Sequence, residues 1–434
     1  MKAVKIGVIG FGVVGSGTVK IIFENQSLIK KRLGQPLIVK KIAVRNPNLP
    51  RLIEVPEGML TTDVDSIIKD PEISIVVELI GGIEPARTFI LKAIEAGKHV
   101  VTANKALLAE HGRELFAAAA EKGVDIAFEA AVGGGVPIIK TIKESLTGNR
   151  LLSLVGIVNG TCNYILTRML EEGLSFETVL RQAQEAGFAE ADPSLDIDGL
   201  DAAHKLAILA SLAYGTEVRL EDIYVEGIRE ADPLDLAFAK ELGFVTKLLA
   251  ICRDSKNGLE VRVHPALVSE SHVLASVRLA YNAFYIRGDA VGDILLYGLG
   301  AGQMPTGSAV VSDIIDLARN IIVGACGRIP PLSYQMANIT PVKIKPMNEV
   351  VCRYYFRFSV VDRPGVLSKI AGILGEHQIS IATVIQKGRE EGSSVPIVML
   401  THEAREEEVQ KALKKIDQLE VVTAPTKLIR IEEG

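Results

Sequence analysis

Residues 3–9 (A-V-K-I-G-V-I) read as a buried strand that runs directly into Gly10-Phe11-Gly12-Val13-Val14-Gly15. The pattern predicts a helix over 14–32 and a second strand over 37–44. A strand, a G-x-G-x-x-G turn, a helix and a strand form the context in which a chain cradles a dinucleotide pyrophosphate. Gly10 permits the tight turn, Gly12 lets backbone approach the phosphates, and Gly15 lets the helix lie close to the strand. Phe11, Val13 and Val14 complete the turn, and the helix N-terminus faces the anion. A glycine turn without a ligand is the competing use.

The second strand ends in Ala43-Val44-Arg45-Asn46, without the acid that would take the adenosine ribose hydroxyls. Arg45 suits a 2′-phosphate, which favours NADP(H) over NAD(H); a solvated loop arginine is the alternative. Strands over 73–80, 99–102 and 124–129 alternate with helices over 85–96 and 106–122, as in a parallel doubly wound sheet. Ligands of such sheets gather at strand ends, here Gly81-Gly82, Thr102 to Lys105, and Glu129 to Val136. Lys105 is then near the nicotinamide crevice, or is a surface lysine opening a helix. The glycine-rich turn after Glu129 can present backbone carbonyls to a hard cation, or act as a hinge.

Beyond residue 138 the alternation changes. Strands over 151–158, 223–228, 246–253, 259–265, 283–286 and 289–296, with helices over 164–171, 176–186 and 200–214, predict a mixed, antiparallel second domain. A second glycine cluster over 298–308, including Gly302, precedes a helix over 309–320; it approaches the cofactor from the other side or is a flexible loop. Residues 328–350 hold four prolines and read as a linker. Residues 354–428 then read βαββαβ, an autonomous ferredoxin-like sandwich.

The stretch 183–205 collects Glu185, Glu190, Asp192, Asp196, Asp198 and Asp201, with no lysine or arginine between Arg181 and Lys205 and with His204 just before that lysine. Pro193 and Gly199 make its first part a loop, and Asp198 is a candidate N-cap for the helix that follows. Asp201 and Lys205 are four apart and share one helix face. The pair is either an exposed contact of roughly 0.2–0.5 kcal/mol or a proton donor held beside its orienting carboxylate.

These motifs together resemble the homoserine dehydrogenase family across essentially the whole chain. The family signature A-x3-G-hydrophobic-small-x2-[DNS]-P-x2-D-hydrophobic-x-G-x-D-x3-K is filled by Ala183, Gly187, Phe188, Ala189, Asp192, Pro193, Asp196, Ile197, Gly199, Asp201 and Lys205. The fingerprint, Asn104-Lys105 and N-G-T-C-N-Y-I-L from Asn159 agree with it, and D-R-P-G-V-L from Asp362 resembles an ACT domain. The resemblance implies an α/β chain: a Rossmann-like dinucleotide-binding domain over 1–135, a mixed α+β catalytic and dimerisation domain over 136–327, and a C-terminal ferredoxin-like ACT domain over 351–434. It implies reversible hydride transfer between L-aspartate 4-semialdehyde and L-homoserine, in threonine, methionine and isoleucine biosynthesis. Lys205 is then the proton donor or acceptor, Asp201 orients it, and Lys105 is a second catalytic or cofactor-contacting lysine. Glu190 and Asp196 hold the substrate together with Gly160 and Thr161, while Thr102, Gly187 and Gly302 join the cofactor set. Backbone oxygens of Glu129, Val132, Gly134 and Val136 match the family's sodium site; the last is often isoleucine in relatives, and either supplies a carbonyl. The family implies a homodimer or homotetramer, with threonine as the expected ACT effector. No aspartokinase segment precedes the fingerprint, so the monofunctional form is the one resembled. The competing readings are another dehydrogenase of the same architecture acting on a related amino or oxo acid, and a non-catalytic protein that senses a cofactor or an amino acid.

Composition narrows the rest. A net charge of −5 without a basic run argues against nucleic acid. No apolar run approaches the roughly 20 residues of a spanning helix, and no secretory signal opens the chain. Four scattered cysteines read as reduced thiols of a cytoplasmic protein, and neither they nor the seven histidines cluster as zinc ligands.

Overall fold

The computed structural model describes residues 3–387 and 394–433. In chain order the elements are β1 (Val4–Ile9), α1 (Val13–Glu24), α2 (Gln26–Leu33), β2 (Leu37–Ala43), β3 (Leu60–Thr61), α3 (Asp65–Ile68), β4 (Ile73–Glu78), α4 (Ala86–Glu95), β5 (His99–Thr102), α5 (Lys105–Lys122), β6 (Ile126–Ala127), α6 (Ile138–Lys140) and β7 (Leu151–Ile157). Then come α7 (Gly160–Glu172), α8 (Phe176–Glu185), α9 (Ser194–Ile197), α10 (Leu200–Tyr214), β8 (Tyr224–Val225), α11 (Pro233–Glu241), β9 (Phe244–Ser255), β10 (Gly258–Ser269), β11 (Tyr281–Gly288), β12 (Gly292–Leu299) and α12 (Gln303–Val323). The chain ends with β13 (Val351–Val361), α13 (Val366–Glu376), β14 (Ile381–Gln386), β15 (Ser394–Thr401), β16 (Ala404–Arg405), α14 (Glu406–Ile416) and β17 (Val422–Glu432). Two compact units result: Met1–Gly160 with Asp201–Ile223 and Ala280–Val342, and Thr161–Leu200 with Tyr224–Leu279 and Lys343–Gly434.

The first unit holds a parallel sheet in the order β3-β2-β1-β4-β5-β6, with its crossover between β1 and β4. Its strands are near-continuous apolar runs because both faces are covered: Ile6, Val8, Val39, Ile75, Val77 and Val101 pack with Val19 and Ile22 of α1 and Val310, Ile314 and Leu317 of α12. Two glycines let α1 and α12 approach each other. A Cβ on Gly17 would stand 2.1 Å from the Gln303 carbonyl oxygen, and one on Gly307 would stand 2.8 Å from backbone of Gly17. The unit also carries the antiparallel strands β12-β11-β7 and the apolar α10.

The second unit is built on a sheet in the order β9-β10-β17-β13-β15-β14. Its last four strands with α13 and α14 are the βαββαβ sandwich, packed around Tyr354, Phe356, Phe358, Ile370, Leu374, Val409 and Ile416. This part is not autonomous, contrary to the sequence reading. β17 pairs in parallel with β10 from Ala266↔Arg430 to Val268↔Glu432. The sheet face away from its helices buries Tyr355, Val398, Leu400 and Ile431 against Phe238 of α11 and Leu267 of β10. Buried ions cross the same seam. Arg357 binds Asp235 of α11 through Nε (2.5 Å) and Nη2 (2.9 Å), and Arg262 of β10 pairs with Glu432 of β17. Within the sandwich, Arg430 binds Glu406 in bidentate fashion at 2.6 and 2.9 Å. Residues 328–350 are tied down rather than free: Tyr334 donates to the Ala213 carbonyl, and Leu259 exchanges hydrogen bonds with Lys343 and Lys345.

Other differences are local. The helix expected over 14–32 breaks at Asn25. The strand expected over 124–129 is only β6, because the chain turns into a short 3-10 helix at Glu129–Ala131. α7 begins at Gly160, absorbing part of N-G-T-C-N. The strand expected over 223–228 shrinks to β8, and that over 289–296 lies at β12, past the Gly292 turn (φ +75°). α12 starts early because Pro305 lies in its first turn, where no N–H is needed. α11 was not foreseen, although Asp232 accepting from Leu234 N–H and Pro233 at its first position is a start signal. Asp198 does not cap α10; it follows α9 and pairs with Arg229.

A chain ending near Met347 should therefore lose the cooperative unfolding of the second unit and bind hydrophobic dye, because β10 loses its neighbour and Arg262 keeps only the longer pairing with Glu260 (3.4 Å) after losing Glu432. Arg430→Met should cost about 3–5 kcal/mol in urea unfolding, since it strands the buried Glu406 carboxylate; a loss below about 1 kcal/mol would contradict the role given to that pair.

Candidate active site

α10 is apolar almost all round, so its one-turn pair is carried inward. Asp201 is 3% exposed and Lys205 9%, which rules out the exposed-pair reading. Lys205 Nζ donates to Asp201 Oδ2 and to the Val158 carbonyl, both at 2.7 Å, which leaves one ammonium hydrogen. Lys105 Nζ stands 2.5 Å from Asp201 Oδ1, and Asn159 Nδ2 donates to Oδ2 at 2.8 Å. Burial opposes ionisation of Asp201, but the Lys205 and Lys105 ammoniums outweigh it and hold the carboxyl well below the usual carboxylate range. Asn282 Nδ2 donates to the same Val158 carbonyl at 3.1 Å. Gly300 packs so closely on Asn282 that a Cβ there would stand 2.1 Å from its side chain. Lys105 opens α5, whose N-cap Asn104 accepts from Leu107 N–H at 3.2 Å. Its side chain is 42% exposed, so the cluster is open on that side.

The fingerprint has the geometry its spacing demands. Gly10 adopts φ +103°, and a Cβ on Gly15 would collide with the Gly10 carbonyl at 2.3 Å. A Cβ on Gly12 would meet nothing within 4 Å, so space stands open where a phosphate would lie. α1 starts at Val13 without a side-chain cap and leaves N–H groups for an anion; Phe11 is buried and Val13 exposed. Arg45 is exposed just past β2, and among the described residues no acid pairs with it. Gly302, at φ +124°, is the N-cap of α12.

The Glu129–Val136 segment folds into a buried turn with Gly133 at φ +74° and Gly134 at φ +54°. Glu129 Oε1 and Oε2 accept the Ile139 and Lys140 N–H groups at 2.8 Å. Burial first, then Asp313, pushes the Glu129 carboxyl up to about 7. The Glu129 and Val136 carbonyls accept from Val132 and Ile138, but among the described residues no hydrogen bond reaches those of Val132 and Gly134. Buried carbonyls without donors fit a hard cation.

In the second unit, Thr161 Oγ1 donates to the Phe188 carbonyl at 2.9 Å, and Phe188 stacks on Tyr164 at 4.6 Å, so the loop after α8 is fastened to the first turns of α7. Gly187 turns that loop at φ +76°. Glu190 is exposed, and its carbonyl accepts from Gln184. Asp196 is half-buried in α9, with its carbonyl accepting from Cys162.

Residues 137–315 match the family described as homoserine dehydrogenase, residues 10–129 its NAD-binding domain, and residues 354–421 the ACT domain. Homoserine dehydrogenase of Synechocystis is 46% identical over 99% of both chains. That of Pseudomonas aeruginosa is 44% identical over 100% of both. The chain belongs to the homoserine dehydrogenase family. The family's members are oxidoreductases. The crystal structure of the homoserine dehydrogenase from Thiobacillus denitrificans superposes with a TM-score of 0.93 at 45% identity, covering 100% of this chain and 99% of that one. A hyperthermophilic archaeal homoserine dehydrogenase in complex with NADPH matches 73% of this chain and 97% of its own, with a TM-score of 0.63 and 29% identity.

Of the residues singled out from sequence, the fold gathers Lys105, Asp201 and Lys205 into one cluster, while Thr161, Gly187, Glu190 and Asp196 lie in the second unit. The fold also brings His99, Asp125 and Cys326 within 4.8 Å of one another, a cluster the sequence hid. His99 Nδ1 already accepts the Asp125 N–H at 3.0 Å. The neutral ring then carries its proton on Nε2, the nitrogen facing Sγ, and offers no lone pair to a cation.

Sequence reasoning passed over Lys247 of β9, 2% exposed. Its Nζ donates to Asn163 Oδ1 at 3.0 Å and to the Val277 carbonyl, and among the described residues no carboxylate pairs with it. Asn163 Nδ2 donates to the Leu279 carbonyl at 2.8 Å, so this lysine and α7 hold the segment 277–279. Burial lowers the Lys247 pKa from near 10.5 to about 8. The unfolded chain therefore binds one more proton between those values, and stability should rise with pH across that window as the penalty of a buried charge disappears. The gain is about 3 kcal/mol. Urea unfolding of Lys247→Met should lack that rise; equal slopes in the two proteins would contradict the assignment.

Proposed function

We propose that this chain catalyses reversible reduction of L-aspartate 4-semialdehyde to L-homoserine, a step toward threonine, methionine and isoleucine, in the cytoplasm. The observation that carries the reading is the buried Asp201–Lys205 pair, met on its open side by Lys105, with one Lys205 hydrogen unused. A bound nicotinamide dinucleotide supplies or accepts the hydride. Lys205 stabilises the negative charge that builds on the carbonyl oxygen and donates the proton there. Asp201 holds both ammoniums in place, and Lys105 adds a second positive charge. By the family resemblance, Glu190 and Asp196 are assigned to the amino and hydroxyl ends of the substrate, and Gly160 and Thr161 to the same ligand. The fingerprint, Thr102, Gly187 and Gly302 serve the cofactor. NADP(H) is favoured because Arg45 is exposed just past β2 with no acid partner among the described residues, and an archaeal relative was solved in complex with NADPH. Glu129, Val132, Gly134 and Val136 would hold a sodium ion by their carbonyls, which would brace the turn. A homodimer or tetramer, and threonine acting at the ACT domain, follow family precedent.

Lys205→Ala should lower kcat by roughly 10²–10⁴-fold while NADPH affinity, read by fluorescence titration, changes less than about threefold. A variant with near-normal kcat would remove Lys205 from the chemistry. Initial rates of semialdehyde reduction by the full chain, with NADPH or NADH and with or without threonine, should show a higher kcat/KM with NADPH and inhibition by threonine. Equal rates, or indifference to threonine, would refute the corresponding reading.

A further inference from the structure

Glu78 ends β4 with its side chain fully buried, and among the described residues no lysine or arginine pairs with it. Its two oxygens are taken by neutral donors. Oε1 accepts the N–H groups of Ile80 at 2.8 Å and Gly81 at 3.2 Å, and Oε2 accepts the Thr102 hydroxyl at 2.6 Å. Thr102 Oγ1 accepts in turn from Asn104 N–H at 3.0 Å, and Asn104 Nδ2 donates to the Gly82 carbonyl at 2.6 Å. The bonds close a ring from Glu78 through the turn 80–82 to Asn104, Thr102 and back. Lys105 is the next residue along the chain, the first of α5, and its ammonium reaches Asp201.

The ring joins the C-terminal ends of two neighbouring strands of a doubly wound sheet, where ligands bind. β4 pairs with β5 so that Glu78 lies opposite Thr102. A lysine side chain is long and flexible, so where Lys105 points depends on where α5 begins. That start is set by Asn104, whose side chain and N–H are held, among the described residues, by this ring and its capping bond, while its carbonyl accepts the helical Leu108 N–H at 3.1 Å. A buried carboxylate is costly to keep without a cation, and only an acceptor-only group can satisfy all three donors at once. The amide of a glutamine would turn a donor toward one of them.

We propose that Glu78 is a positioning residue for hydride transfer: through Thr102 and Asn104 it sets the start of α5 and so aligns Lys105 with Asp201. The proposal rests on the reading of Lys105 as a catalytic lysine.

A double-mutant cycle in the full-length enzyme tests it, with kcat for semialdehyde reduction as the readout. Glu78→Gln should lower kcat roughly ten- to a hundredfold, the scale of a misplacement of about 1 Å. In a Lys105→Ala background the same substitution should add less than a twofold loss. Thr102→Val should mimic Glu78→Gln, and Thr102→Ser, which keeps the hydroxyl, should restore kcat to within about threefold of wild type. General loosening of the fold would give additive losses instead. Additive losses on top of an already impaired Lys105→Ala, or a Thr102→Val enzyme with wild-type kcat, would overturn the proposal alone. A Lys105→Ala enzyme with near-wild-type kcat would overturn the reading of Lys105, and the proposal with it.

Discussion

Asp201 takes one negative charge out of water and sets it between two ammoniums, Lys205 at 2.7 Å and Lys105 at 2.5 Å. Asp201 and Lys205 would each be expensive to bury alone, while Lys105 keeps much of its side chain in solvent. Together they carry one net positive charge, with fixed directions and a hydrogen still available on Lys205. Such a state suits a carbonyl whose oxygen gains negative charge, which is the role proposed for the cluster. Removing the carboxylate would leave two like charges facing each other, so the cluster stands or falls with Asp201.

Much of the first unit can be understood as support for that arrangement. α10 has to be apolar nearly all round to bring Asp201 and Lys205 inside. β7 has to end where the Val158 carbonyl meets Nζ, and Asn282 holds that carbonyl from the side. Gly300 is small because Asn282 leaves no room for a methyl group above it. The same economy of space governs the α1–α12 crossing, where Gly17 and Gly307 bring backbone within van der Waals contact. A Cβ at either position would push α12 away from the helix that follows the fingerprint.

The legibility of these features followed their range along the chain. The fingerprint was readable because a tight turn, a close helix and a phosphate-facing N-terminus are local demands written in three glycines. The spacing of Asp201 and Lys205 was readable too, but their burial was not. An i,i+4 ion pair looks the same on a wet helix as on a dry one, and the clue was the missing polar face of L-D-A-A-H-K-L-A-I-L-A-S-L-A-Y. That Lys105 meets Asp201 is a contact between distant parts of the chain, with no local mark. Lys247 left one faint trace, a single charge inside an otherwise apolar stretch of β9. The joining of β17 to β10 left none, because a parallel pair shares no turn and sets no register signal in sequence.

That last pairing decides how the ACT domain can act. A regulatory module on a flexible tether changes its position; this one shares a sheet with the β9–β10 hairpin and buries Arg262–Glu432 and Arg357–Asp235 at the seam. Packed, ion-bridged seams do not deform gradually; they hold one arrangement or repack into another. α11 is bound to that seam through Asp235 and Phe238. An effector at the sandwich can therefore shift the protein only by binding two packings of this unit with different affinity. The size of any regulation is limited by that difference, however tightly the effector binds.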